Sequence, residues 1–113
     1  MHELAITENI LKTALPKAEE SGAKRILEVR LKIGELSGVV PECVQYYFDL
    51  IAKGTIAEGA RIISESVPVR IVCRDCGYEG GIDRKHNRCP VCESKSFSIT
   101  GGRDFYVDSL LAE

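Results

Sequence analysis

Residues 73–92 read CRDCGYEGGIDRKHNRCPVC, and this stretch decides how the chain is organised. Two C-x-x-C pairs enclose a segment of twelve residues: Cys73 with Cys76, and Cys89 with Cys92. Each pair can form a tight knuckle that presents two thiolates, and four thiolates suit tetrahedral zinc. The enclosed segment is too short and too polar for a core of its own, so a metal would supply the crosslink. The sequence therefore predicts a zinc-ribbon-like module over residues 73–95 with a structural Zn(II) ion.

Three other chemistries compete with zinc at these cysteines. A rubredoxin-like iron site uses the same four ligands, but zinc is the better default for a module without aromatic cover. A dithiol redox centre needs only one C-x-x-C pair. Nucleic-acid binding would use the basic residues of the segment, but its acidic residues nearly balance them and only Tyr78 offers a ring for base stacking. The basic residues are Arg74, Arg84, Lys85 and Arg88, and the acidic ones are Asp75, Glu79 and Asp83.

The composition narrows the classes of function. The 113 residues suffice for one compact domain with a small satellite. Fifteen Lys and Arg against seventeen Asp and Glu give a net charge of −2, which argues against a nucleic-acid partner held by its phosphates. No apolar stretch approaches the ~18 residues that span a bilayer, and no basic segment precedes an apolar one at the N-terminus. We therefore expect a cytoplasmic protein without a membrane partner, in which paired cysteines bind metal.

Upstream of the cysteines, the apolar periodicity predicts two helices and a strand. Residues 3–21 carry an apolar stripe at helical spacing, and Pro16 is expected to kink or break this helix near Leu15. Over residues 26–33 the period changes to two, which indicates a strand with one face in solvent. Pro41 suits the first position of a second helix. The apolar stripe of that helix consists of Val44, Tyr47, Phe48 and Ile51.

Further strands are expected on both sides of the cysteines. The mostly β-branched run 60–72 predicts one strand that is bent at Pro68 or lies at a sheet edge. Phe97 and Ile99 indicate a short strand, and residues 103–111 a final extended element. We therefore predict an α+β fold, in which a small mixed sheet has two helices on one face and receives the cysteine module as an insertion. The expected domains are residues 1–72 with 96–113 for the sheet and residues 73–95 for the module.

The N-terminal residues Met1, His2 and Glu3 form a second candidate metal site. The α-amine and imidazole have ordinary pKa values of roughly 7.7–8.0 and 6.5, so both can present a lone pair near neutral pH. Together with the His2 backbone nitrogen they can close chelate rings around one ion. Such a nitrogen-rich, nearly planar ligand set suits Ni(II) or Cu(II). Taken alone, however, a histidine at position two usually has no function.

The whole chain resembles the HypA family of hydrogenase maturation nickel chaperones. The resemblance covers nearly the full length and rests on a combination of short motifs. These are the opening MHEL of residues 1–4, RLKIGELSGV of residues 30–39, Pro41-Glu42, AKGT of residues 52–55, AEGA of residues 57–60, the two cysteine pairs with Cys89-Pro90, and Gly101-Gly102.

The resemblance implies a protein that binds nickel as cargo through His2, with the Met1 amine and Glu3 as further ligands. It also implies a structural zinc ion on the four cysteines. In that family the chaperone works with a HypB-type GTPase and transfers nickel to the hydrogenase large subunit, and some members also serve urease with its accessory proteins. One departure from the family pattern is Glu93, which follows Cys92 where glycine is usual and is expected to strain that turn.

The predicted activity is metal transfer and not catalysis. The sequence shows no nucleophile with an adjacent base and no glycine-rich phosphate loop, so nucleotide chemistry would come from a partner. His86 is interpreted as a solvated loop histidine and Cys43 as a small buried apolar residue. The competing class is a zinc-ribbon adaptor that binds protein or nucleic acid and uses no nickel.

Overall fold

The computed structural model describes residues 3–83 and 85–113, and over these it forms two three-stranded sheets. The strand orders are β2-β1-β6 and β4-β3-β5. We call the first sheet and its two helices the α/β lobe (residues 3–67 and 105–113), and the second sheet with its knuckles the cysteine lobe (residues 70–101). The elements are α1 Glu3–Glu20, β1 Ile26–Gly34, α2 Pro41–Ile51, β2 Arg61–Val67, β3 Arg70–Cys73, β4 Glu79–Gly81, β5 Phe97–Gly101 and β6 Phe105–Ala112.

The central strand of the α/β lobe is β1. It pairs in parallel with β2, and α2 lies in the connection between these two strands. It pairs antiparallel with β6. Val29, Leu31 and Ile33 are buried while Arg30 between them is exposed, as the period of two predicted. The small mixed sheet with two helices and an α+β class is therefore confirmed.

Both helices contribute to one continuous apolar core with β1. Helix α1 buries Ile6, Ile10, Ala14 and Ala18, which recur every fourth residue, and α2 buries Val44 and Phe48. Phe48 is completely buried among side chains of both helices and β1. Since these residues belong to one cluster, the two helices cover the same face of the sheet. Among the described residues, neither helix is long and apolar enough to cross a bilayer.

Pro16 does not end the first helix, so of the predicted kink or break near Leu15 the break is wrong, and the kink stays a prediction. Helix α1 runs without interruption from Glu3 to Glu20. Ala14 and Ala18, which flank Pro16, are both buried in the core, and their packing offsets the cost of the missing backbone donor. The helix ends where Ser21 Oγ and the backbone nitrogen of Ala23 donate to the carbonyl of Ala18 at 2.9 and 3.0 Å.

The prediction of one strand over residues 60–72 is also wrong, because the run forms two strands in different sheets. Strand β2 ends at Val67 and pairs with β1, whereas β3 begins at Arg70 and pairs with β4 and β5. Pro68 between them has no N–H for a ladder, and here it marks the crossing from one sheet to the other. The domain bounds at 72/73 and 95/96 stay a prediction, and the strand pairing groups residues 70–72 and 97–101 with the cysteine segment.

Candidate metal centre

The four cysteines of the predicted zinc site lie together at one end of the cysteine lobe. Their sulfur atoms all lie within 4.8 Å of one another. Among residues 3–83 and 85–113, these four cysteines form the group of side chains that could hold a metal ion. Cys73 and Cys89 are buried, whereas Cys76 and Cys92 are exposed. Each C-x-x-C pair therefore supplies one inner and one outer ligand.

Two knuckles of the same design build the site. In the first, the Gly77 nitrogen donates to the Cys73 carbonyl at 3.1 Å, and the Cys73 nitrogen donates to the Tyr78 carbonyl at 2.8 Å. In the second, the Glu93 nitrogen donates to the Cys89 carbonyl and the Cys89 nitrogen donates to the Ser94 carbonyl, both at 2.9 Å. Each knuckle thus closes on the residue after its second cysteine.

The residue after each pair adopts a left-handed backbone conformation. Gly77 has φ of 76° and Glu93 has φ of 62°. Glycine adopts this region freely, whereas a side chain with a Cβ does so at a cost. The strain predicted at Glu93 therefore arises from the left-handed conformation that this turn requires.

Hydrogen bonds that sequence reasoning missed tie the two knuckles together. The Ser94 hydroxyl donates to the Asp75 carboxylate, and the Arg74 nitrogen donates to the Ser96 carbonyl at 2.9 Å. The Arg74 guanidinium also donates to the Ser98 hydroxyl at 3.1 Å. Serines beside the second pair were the only signal for these contacts, and serine is too common in loops to predict a partner. The bonds hold the knuckles face to face without help from a core.

The thiols titrate unequally. Backbone hydrogen bonding from Cys76 is the main cause that lowers the pKa of Cys73 to about 7. A backbone hydrogen bond from Ser94 favours the Cys92 thiolate, but desolvation and the neighbouring thiols outweigh it and raise the pKa of Cys92 to about 12. At Cys76 the backbone hydrogen bond from Tyr78 is outweighed in the same way by desolvation and the Cys89 thiol, so its pKa is also raised. One thiolate forms readily here, and a cation is needed before all four can.

The donor set fits a tetrahedral zinc ion. Metal–sulfur bonds of about 2.3 Å place tetrahedral ligands about 3.8 Å apart. The sulfur atoms of Cys73 and Cys92 are 3.6 Å apart, as are those of Cys76 and Cys89, and all separations stay within 4.8 Å. An iron ion accepts the same four sulfurs, so the geometry alone leaves both metals open. Bound there, zinc would crosslink the knuckles and act as a structural ion.

The predicted nickel residues lie at the start of α1. Met1 and His2 fall outside the described residues, and their role as ligands stays a prediction. Glu3 is the first residue of α1 and is half-buried. Its carbonyl accepts a hydrogen bond from the buried Thr7 hydroxyl at 2.6 Å. The cysteine cluster does not include Glu3.

Two further candidate residues are His86 and Cys43. His86 is exposed, and its Nδ1 lies 2.9 Å from the Asp83 carboxylate. Cys43 is half-buried on α2 and is a free thiol. Neither residue belongs to the cysteine cluster. The prediction of a solvated loop histidine agrees with the exposure of His86, whereas Cys43 is less buried than expected.

Known proteins show the same organisation over the whole chain. The HypA protein of Helicobacter pylori, described as a nickel metallochaperone, has a solution structure that matches with a TM-score of 0.70 at 22% identity, covering 99% of this chain and 97% of that one. A second solution structure of a HypA protein matches with a TM-score of 0.75 at 23% identity, covering 100% and 97%. At these identities the likeness shows the fold.

Sequence relatives establish the family. The hydrogenase maturation factor HypA of Moorella thermoacetica is 44% identical over 108 residues, which cover 96% of each chain. The HypA proteins of Geobacter sulfurreducens and Methanothermobacter thermautotrophicus are 39% and 37% identical and cover all of this chain and 100% and 98% of their own. A family model described as "Hydrogenase/urease nickel incorporation, metallochaperone, hypA" matches residues 1–112. With its two helices, its paired sheets and its four clustered cysteines, this chain belongs to the HypA family of hydrogenase maturation metallochaperones.

Proposed function

We propose that this chain binds Ni(II) at its N-terminus and delivers it during maturation of [NiFe]-hydrogenase. The observation that supports this most directly is the family match, which starts at residue 1 and includes the MHE opening. The chain thus combines a nitrogen-rich N-terminus with a separate four-sulfur site. A metallochaperone needs this division, because one metal must leave while the fold persists.

The chemistry of the N-terminus suits a transferable nickel ion. The Met1 amine, the His2 backbone nitrogen and the His2 imidazole form a chelating set, with Glu3 as a further ligand. Helix α1 begins at Glu3, and the first amides of a helix have no intrahelical acceptor. Ligation by the nitrogen of His2 therefore costs the helix no hydrogen bond. An open ligand set of this kind can release its ion to a competing site.

The cysteine site suits an ion that stays. Four thiolates complete a tetrahedral shell and leave no position for a substrate or a competing ligand. Two of the four sulfurs belong to buried residues, Cys73 and Cys89. We therefore assign Zn(II) a structural role at Cys73, Cys76, Cys89 and Cys92.

The partners follow from the proposed cargo. A HypB-type GTPase would supply the nucleotide chemistry, and the hydrogenase large subunit would receive the nickel. Since the family description names urease as well as hydrogenase, urease accessory proteins are a second class of recipient. All of these partners belong to the cytoplasm, where we place the chain.

The deciding experiment is calorimetric titration of nickel into the native chain and into His2→Ala, with an intact Met1 confirmed by mass spectrometry. Removal of the imidazole should nearly abolish nickel binding and leave the zinc content unchanged. His86→Ala is the matched control, because it removes an imidazole that is not among the proposed nickel ligands and that the cysteine cluster does not include. Full nickel affinity in His2→Ala would refute the proposal.

A second measurement separates the chaperone from a zinc-ribbon adaptor. Residues added before Met1 remove the terminal amine from the chelate, so nickel affinity should fall; an adaptor shows no difference. Nickel affinity should also fall as the pH drops below about 6.5, where both the imidazole and the amine hold protons.

A further inference from the structure

The two lobes form an elongated molecule whose halves hardly pack on each other. The radius of gyration is 17.5 Å and the extents are 54 × 26 × 16 Å. A compact chain of this length would have a radius of gyration of about 13 Å. Every pair of helices or strands that packs extensively lies within one lobe. The orientation of the cysteine lobe therefore depends on the segments that cross between the sheets.

One turn holds both of these crossing segments. We call residues 34–36, the last residue of β1 and the two residues after it, the junction turn. The Glu35 nitrogen donates to the carbonyl of Val67 at 2.9 Å, at the end of β2, where the first crossing begins. The Gly34 and Leu36 nitrogens donate to the carbonyls of Asp104 and Gly102, both at 2.7 Å, on the second crossing. The central strand of the α/β lobe thus extends directly into the connection between the lobes.

The backbone segments approach so closely here that two positions accept only glycine. A Cβ on Gly34 would lie 2.5 Å from the Gly102 carbonyl oxygen and 2.6 Å from that of Asp104. Gly102 has φ of +93°, and a Cβ there would lie 2.9 Å from the Cα of Val69. The junction is therefore a close-packed contact of three segments, and a small displacement of one moves the others.

Glu35 adds a side-chain contact to Val69, the residue immediately before the cysteine lobe. Its carboxylate accepts a hydrogen bond from the Val69 nitrogen at 3.1 Å. Since Pro68 has no N–H, the donor at Val69 is the first one available after β2 ends. Val69 is 4% exposed and immediately precedes β3. The carboxylate thus fixes the residue from which the cysteine lobe starts.

We propose that the junction turn clamps the two lobes into one rigid body, and that Glu35 is the positioning residue of this clamp. Helix α1 packs along the sheet from Ile6 to Ala18 and leads into β1 through a short turn, so its start lies at the end of β1 that carries Gly34. The clamp therefore determines where the cysteine lobe stands relative to the start of α1, which the proposed nickel ligands Met1 and His2 precede in the sequence. This last consequence rests on the proposed function, whereas the clamp itself does not.

The test is ¹⁵N relaxation of the full-length, zinc-loaded and nickel-free chain. In the native chain, the amides of β1 and those of β3 should give the same rotational correlation time. In Glu35→Ala the amides of β3 and β5 should tumble separately and faster, and the Val69 amide should exchange with solvent at least tenfold faster. Glu35→Gln retains an oxygen acceptor for the Val69 N–H and should keep the native exchange rate at that amide.

Glu65→Ala is the matched control, because it removes a carboxylate that contacts Lys32 on the α/β lobe and does not touch the junction. It should leave the tumbling of both lobes unchanged. Common tumbling in Glu35→Ala, or native exchange at Val69 in that variant, overturns the proposal. Because no nickel is present, the result is independent of the His2 experiment.

A second variant keeps the test valid if Glu35→Ala fails to fold. In Gly102→Ala the new Cβ pushes against Val69 and Pro68, so the segments of the junction must move apart. Residual dipolar couplings should then fit each lobe with its native internal structure but with a changed orientation between the lobes. An unchanged orientation refutes the clamp.

Discussion

The two lobes obtain their order from different sources. The α/β lobe buries a continuous cluster of apolar side chains from both helices and β1. Among the described residues of the cysteine lobe, the buried apolar residue besides Cys73 and Cys89 is Ile71, and Val69 is buried just before β3. Three short strands and two knuckles cannot bury enough surface to offset the loss of chain entropy. One short chain thus combines a fold held by burial with a small lobe whose four clustered cysteines we propose to be crosslinked by a metal ion.

The largest effect is expected from Cys76→Ser. Zinc should be released, because three sulfurs do not close the tetrahedral shell, and apparent zinc binding in such modules contributes about 10–16 kcal/mol. Cys76 is exposed, so the change creates no cavity. Hydrogen exchange should show lost protection in β3 and β5 and retained protection in β1. Cys43→Ser, the matched control, should keep one zinc ion per chain; one tightly held zinc in Cys76→Ser would contradict the four-cysteine assignment.

In the α/β lobe, Phe48→Ala should have the next largest effect. Phe48 is completely buried, and truncation of such a side chain costs ~3–5 kcal/mol. Denaturant unfolding measures the loss, and metal analysis should find an unchanged zinc content. A loss below ~1 kcal/mol would show that this core does not hold the lobe.

The zinc affinity of the cysteine lobe should depend steeply on pH. The pKa values of Cys76 and Cys92 are raised above 9.0, so both thiols are protonated at neutral pH in the metal-free chain. Zinc must displace these protons, and the metal-free state therefore binds more protons than the loaded state. Affinity should rise with pH by about tenfold per displaced proton and pH unit, so Cys76 and Cys92 alone contribute about 100-fold per unit between pH 6 and 8. Competition with a chelator measures this, and an affinity independent of pH would contradict it.

The smallest effect is expected from Ile71→Ala in the cysteine lobe. Ile71 is 1% exposed, but its sheet is small and can relax around the change, so we expect a cost of about 2 kcal/mol, at the low end for such truncations. Zinc should remain bound and β3 should remain protected. Release of zinc from Ile71→Ala would show that burial holds this lobe as well, and the contrast between the lobes would disappear.

The sequence predicted the elements that local signals specify. Helix α2 begins at Pro41 and β1 spans residues 26–34, close to their predicted bounds, because a helix-start proline and a period of two act locally. The four cysteines were predicted by spacing alone. Met1 and His2, outside the described residues, remain predictions from chemistry and family resemblance.

What the sequence did not predict depends on contacts between distant segments. The run 60–72 is mostly β-branched along its length. It forms two strands because its first part pairs with β1 and its last part pairs with β5. Helix α1 continues past Pro16, despite the low helix propensity of proline, because Ala14 and Ala18 are buried in the core. The junction of Gly34, Gly102 and Glu35 has no local signature, since two glycines and a glutamate are common in turns.

The pairing of β1 with β6 has a consequence for how the chain folds. Pairing of β6 with β1 closes a loop of residues 68–104 between β2 and β6. Once the cysteine lobe has formed, Arg70 lies opposite Gly101, and the loop shrinks to a few residues on each side. Loop closure scales as (3/2)RT ln n, so this shortening lowers the entropy cost of adding β6 by about 1–2 kcal/mol. The proposed zinc ion therefore favours the completion of a sheet that contains none of its ligands.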